Sequence, residues 1–224
     1  MKTRTKALLL AMCAVLLVVT TVMATLAFLT SQTDVVKNTF TVGNVVITLD
    51  EAKVDEYGVE VAGADRVLTN EYKLMPGHTY VKDPTVHVAA DSENSYIRML
   101  VTITDLADVK AVLGVDATTN YFLPQYFVEG WDESKWVSTK VVVEENNTAT
   151  YEFRYYTTVS TVDAAAKDLE ALFTHIVIPG TINNTDLAKL EELEINVVAQ
   201  AIQADGFANA DAAWVAFGQQ TSNN

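Results

Sequence analysis

The stretch Ser95-Tyr96-Ile97-Arg98-Met99-Leu100-Val101-Thr102-Ile103-Thr104 decides the fold class. Ile97, Met99, Val101 and Ile103 fall on one face, with Tyr96, Arg98, Thr102 and Thr104 mostly on the other. A period of two is the signature of a half-buried β-strand. Met99 and Val101 are therefore expected to point into a core. Downstream, Trp136–Val143 and Thr150–Thr157 flank the polar run Glu144-Glu145-Asn146-Asn147, which reads as a hairpin with a polar tip. Tyr151, Phe153 and Tyr155 line one face of its second strand.

The same rhythm extends in both directions. Asn38–Asp50 reads as a strand whose apolar phase changes after Gly43-Asn44, as at a bulge or bend. Tyr57–Val61 is a weaker strand, Leu74-Met75-Pro76-Gly77 a turn, and Thr85–Ala89 a further strand. Phe173–Ile178 and Glu194–Ala204 complete the strand set. Helices are expected from Asp105, as cap, to Leu113 before Gly114; over Asp163–Leu172 with Asp163 as cap; over Thr185–Leu193; and over Asn209–Phe217. Seven to nine strands with short helical excursions predict a mainly β chain, a β-sandwich of jelly-roll type.

Composition excludes several function classes. The chain has 224 residues, with 15 Lys+Arg against 29 Asp+Glu and a net charge of −14. That balance argues against nucleic-acid binding and against polybasic contact with anionic lipid. The single Cys13 excludes a disulfide framework and multi-cysteine metal sites.

The N-terminus reads as a secretory signal. Lys2, Arg4 and Lys6 precede an uncharged stretch from Ala7 to Ser31 with Leu8–Leu10 and Val15–Val19 at its apolar centre. Thr25 and Ala27 supply small residues for cleavage between Ala27 and Phe28. The expected organisation is a signal peptide over 1–27, a short segment over 28–37 and a single domain over 38–224. Contact with a membrane is expected only through the signal peptide, before cleavage. Loss of residues 1–27 leaves 12 basic and 29 acidic residues, a net charge of −17, and no cysteine. Such a chain suits an extracellular, oxidising setting.

Catalytic motifs are not found. No His-Glu-x-x-His places two imidazoles on one helical face, and His78, His87 and His175 lack ligand spacing. There is no Gly-x-Ser-x-Gly elbow and no calcium loop. Asp50-Glu51, Asp132-Glu133 and Glu191-Glu192 read as solvated acidic surface, and Trp131, Trp136 and Trp214 as core rather than sugar platforms. No catalytic residue, metal or cofactor is expected.

Several blocks resemble one family. Ala24–Asp34, then Asn38–Glu51 with its Asn-Thr-Phe-Thr-Val-Gly-Asn start, looks like the beginning of the TasA/camelysin family of exported Gram-positive proteins. Tyr72–Val86, containing Leu74-Met75-Pro76-Gly77-His78, and Ser95–Val101 continue the resemblance. It covers about the first hundred residues and implies a jelly-roll domain, processing by a SipW-type signal peptidase and secretion from a Gram-positive cell. The implied role is a fibre-forming subunit of the biofilm matrix or cell surface, with possible accessory matrix subunits as partners. The alternatives are a camelysin-type surface metallopeptidase, whose zinc motif this sequence lacks, and a monomeric adhesin or fibre accessory subunit.

Assembly also follows from the residues. Cleavage would free Phe28–Lys37, with Phe28, Leu29, Val35 and Val36 as apolar contacts. An extended segment can pair with an exposed sheet edge of a neighbour. Donor and acceptor surfaces differ, so repetition is head-to-tail and open-ended.

Overall fold

The computed structural model describes residues 12–16, 43–115, 128–145 and 147–221. The chain divides into two compact units, Met1–Val42 and Gly43–Asn224. Of the first, residues 12–16 are described and form an exposed helical turn. The expected cleavage site at Ala27 and Phe28, and the donor residues Leu29, Val35 and Val36, lie outside the described residues. Among these, no helix is long and apolar enough to cross a membrane.

The second unit is mainly β, with all strand pairs antiparallel. In chain order its elements are β1 (Ile47–Asp50), β2 (Thr79–Val81), β3 (Thr85–Val88), β4 (Ser95–Ile103) and α1 (Leu106–Val112). There follow β5 (Val128–Glu129), β6 (Trp136–Glu145), β7 (Thr148–Tyr155), β8 (Lys167–Asp168) and β9 (His175–Val177). The unit ends with α2 (Asn184–Leu187), a 3-10 turn (Ala188–Leu190), β10 (Ile195–Gln203) and α3 (Ala210–Thr221). Three sheets result, ordered β1-β3-β8, β10-β4-β7-β6 and β2-β9-β5.

β4 is the centre of the four-stranded sheet, paired in register with β10 on one side and β7 on the other. Its burial alternates along all nine residues, with Ile97, Met99, Val101 and Ile103 at most 1% exposed. The inward residues of β7, Tyr151, Phe153 and Tyr155, join Trp136 in the same core. The hairpin β6–β7 carries a register shift between Ser138 and Val142. On the outer face, Arg98 lies under α3, with its guanidinium carbon 4.1 Å from the Trp214 ring centre and its Nε donating to Gln200 Oε1 at 2.9 Å. This cation–π stack docks the terminal helix on the sheet.

Four local expectations are corrected. Asp163–Leu172 is not helical: it contains β8, and Asp163 has φ of 55°. Leu169 N–H donates to Val86 O and Leu172 N–H to Pro84 O, so the edge of β3 captures the segment in extended form. Tyr57–Val61 is a tight loop rather than a strand, bridged only at Val54 and Glu60. Gly58 is required there, because φ is +74° and a Cβ would meet the Tyr80 ring at 2.5 Å. The strand expected over Asn38–Asp50 is seen only as Ile47–Asp50; residues 43–46 run extended beside 89–93, and 38–42 lie outside the described residues. Asp105 does not cap α1 through its side chain. Asn147, at the tip of the β6–β7 hairpin, does so instead: its backbone carbonyl accepts from Leu106 N–H and its Oδ1 from Ala107 N–H.

Candidate functional site

β1 and β10 are end strands of different sheets and approach each other without pairing. A cleft of about 1100 Å³ opens along them. Its walls include Leu49 of β1, Val197 and Val198 of β10, Leu187 of α2, and Leu68 and Tyr72 of the 67–74 segment. Leu68 is 85% and Val198 52% exposed. Two large apolar side chains thus stand in water beside a strand edge whose outward N–H and C=O groups have no β partner among the described residues.

The floor of the cleft is polar and closed. Val67 pairs with Glu51 through two backbone hydrogen bonds, bringing the 67–74 segment alongside the end of β1. Lys82, just beyond β2, donates from Nζ to Glu51 Oε2 at 2.6 Å, and both side chains are under 10% exposed. Asn70 Nδ2 donates to Glu51 Oε1 at 2.9 Å and to Ala52 O at 2.8 Å, while its Oδ1 accepts from Val54 N–H at 3.0 Å. Burial, reinforced by the Glu51 charge, pushes the Tyr72 phenol well above its usual value, so it remains a hydroxyl and donates to Val81 O.

A second network holds β1, β3 and β8 together. Arg66 pairs with Asp50 and Asp83. His87 lies between two carboxylates, with Nε2 2.8 Å from Asp50 and Nδ1 2.6 Å from Asp168. The carboxylates sit on opposite edges of the ring, so they do not converge on a shared point. Among the described residues no group of three or more His, Cys, Asp or Glu is placed to hold a metal ion.

Burial opposes protonation of His87, but the hydrogen bonds to Asp168 and Asp50 outweigh it and raise its pKa. Burial likewise opposes the charge on Asp50, and Arg66 and His87 outweigh it and lower its pKa. A base with a raised folded pKa stabilises the fold below its unfolded value, near 6.5, and loses that contribution as pH rises through the folded value. The denaturant midpoint should therefore fall as pH rises from about 6.5 through the raised folded value of His87. His87→Gln should flatten that fall, and an unchanged slope in the variant would show that His87 is not its source.

The expectation of a solvated Asp50-Glu51 pair is corrected. Glu51 is buried on Lys82 and Asp50 is tied to Arg66 and His87, whereas Asp132-Glu133 and Glu191-Glu192 are exposed. The remaining histidines serve separate contacts, His78 with Tyr57 O and His175 with Thr174. Trp136 and Trp214 are buried and Trp131 packs against the core. Sequence reading missed Lys82, Asn70, Arg66 and Asp168. For Lys82 a signal existed: Tyr80, Lys82, Pro84, Val86 and Val88 share one period-two phase, and all are buried. Compared with family models, curated proteins and solved structures, the chain finds no match.

Proposed function

We propose that this chain is a secreted structural subunit that polymerises into extracellular matrix or cell-surface fibres, each subunit inserting its N-terminal segment into the next. The observation that carries this reading is the outer edge of β10, which has no β partner among the described residues and is flanked by a large groove. A ten-residue segment such as 28–37 reaches about 33 Å when extended, and the nine residues of β10 span about 30 Å, so donor and acceptor match in length. Leu68 and Val198, exposed in the monomer, are the side chains that an incoming Leu29 or Val35 would cover. The domain is read as a β-sandwich of jelly-roll type. A SipW-type signal peptidase would release Phe28, and the setting would be the surface of a Gram-positive cell, with accessory matrix subunits as further partners.

Electron microscopy of the purified protein, after intact-mass confirmation that it begins at Phe28, tests the reading. Unbranched filaments are expected, more abundant as salt screens the charge of −17. Monomers at every salt and protein concentration would sink the fibre role.

A further inference from the structure

We propose that Lys82 and Asn70 become joined by an intramolecular isopeptide bond, with Glu51 as the proton-transferring carboxylate. The inference stands apart from the fibre reading and rests on the closed floor of the cleft. One carboxylate holds both reacting groups: Oε2 accepts from Lys82 Nζ at 2.6 Å and Oε1 from Asn70 Nδ2 at 2.9 Å. The carbonyl oxygen of the Asn70 amide is already polarised by Val54 N–H at 3.0 Å. Lys82 and Glu51 are 8% and 6% exposed, and the Tyr72 and Tyr80 rings meet edge-on at 5.7 Å in the same wall. Asn70, beside them, is half-buried.

Each contact has a place in the reaction. Glu51 Oε2 takes a proton from the Lys82 ammonium, and the neutral amine attacks Asn70 Cγ. The Cγ=Oδ1 electron pair moves onto Oδ1, where Val54 N–H stabilises the oxyanion. The Cγ–Nδ2 bond then breaks as Glu51 Oε1 delivers that proton to Nδ2 and ammonia leaves, and Glu51 takes a second proton from the former Lys82 nitrogen, which becomes the amide N–H. Of the three protons on Lys82, one stays on the new amide, one departs with ammonia and one remains on Glu51. No oxidant or activated co-reactant is needed. Both buried charges disappear, which removes the desolvation cost of keeping an ammonium and a carboxylate out of water. Holding the groups on one carboxylate supplies the proximity that an uncatalysed transamidation lacks. The product would close residues 70–82 into a covalent loop along the groove wall, in a chain whose one cysteine, Cys13, cannot form an internal disulfide.

Mass spectrometry decides the matter on the unmodified chain. The purified protein should weigh about 17 Da less than its sequence, the mass of one ammonia. Proteolysis should yield one branched species containing both Asn70 and Lys82. Lys82→Arg should restore the full mass, and Glu51→Gln should slow bond formation by about 100-fold or more. Full sequence mass in the wild type would overturn the proposal. So would a 17 Da loss that persists in Lys82→Arg, or a loss of about 18 Da mapping to Glu51 and Lys82, which would be a different amide. Complete bond formation in Glu51→Gln would remove the role given to Glu51. If either variant fails to fold, the wild-type mass and branched peptide still give the answer.

Discussion

Trp136→Ala should destabilise the folded chain by about 3–5 kcal/mol, the range for truncating a fully buried large aromatic. Trp136 is 0% exposed at the start of β6, opposite Tyr155 of β7, and the two rings meet edge-on at 5.0 Å. Its Nε1 donates to Glu170 O at 2.8 Å, so the substitution leaves a cavity and also a carbonyl without its donor. Domains of this kind are stable by only about 5–15 kcal/mol, so the loss is a large share of the total. The midpoint of denaturant unfolding should drop with little change in slope. Met99→Ala, in the centre of β4, should cost about 2–5 kcal/mol by the same argument. Val137, the next residue to Trp136, is 46% exposed, and Val137→Ala should stay within about 0.5 kcal/mol. Equal effects at 136 and 137 would mean that the faces of β6 are wrongly assigned.

The contrast between neighbouring residues is also why so much of this fold is readable in the sequence. β4 has polar residues on one face and aliphatic ones on the other because its outer face carries α3 and ion pairs while its inner face closes the core. Burial on one side imposes period two, and the hairpin β6–β7 shows the same pattern with a polar tip. The segment 163–172 misleads for a physical reason. Ala164-Ala165-Ala166 behind a candidate Asp163 cap has the composition of a helix, yet Leu169 and Leu172 are buried. The chain reaches those positions by running along the β3 edge and then turning into the β5–β9 region, a tertiary effect that local periodicity does not encode. The cap of α1 was missed because its acceptor, Asn147, comes 40 residues after Ala107.

The polar floor of the cleft was harder to read for the same kind of reason. Glu51, Asn70 and Lys82 come from three segments that no local sequence pattern links; backbone pairing between Glu51 and Val67 and the side-chain hydrogen bonds of Asn70 and Lys82 bring them together. Read singly, each is an ordinary surface residue. Lys82 alone stands out, as a cation in phase with buried neighbours, and a buried cation needs a partner. The large groove had no sequence signal, since it is made by the failure of two strand edges to pair.

A chain beginning at Asn38 should remain a folded monomer and form no fibres at any salt concentration. The folded unit starts at Gly43 and holds every described strand and both apolar clusters, so truncation before Asn38 removes none of its core. What it removes is Phe28, Leu29, Val35 and Val36, each worth about 1.5–3 kcal/mol if buried in a neighbour's groove. Pairing along β10 would add about 0.5–1.5 kcal/mol per hydrogen bond. Against these stands the ordering of ten residues at about 1–2 kcal/mol each. The two sides are of similar size, so binding is favourable only when most contacts form together. Deleting the segment should therefore abolish polymerisation, whereas Val36→Ala alone should raise the protein concentration needed for fibres without preventing them. Salt should promote wild-type assembly, because the charge of −17 that cleavage after Ala27 would leave on each subunit is screened over about 10 Å at 0.1 M ionic strength. Normal fibres from the shortened chain would eliminate insertion of the N-terminal segment while leaving a matrix role open. Unfolding of the shortened monomer would instead place 28–37 in its own subunit's core, with the groove between β1 and β10 already filled from within.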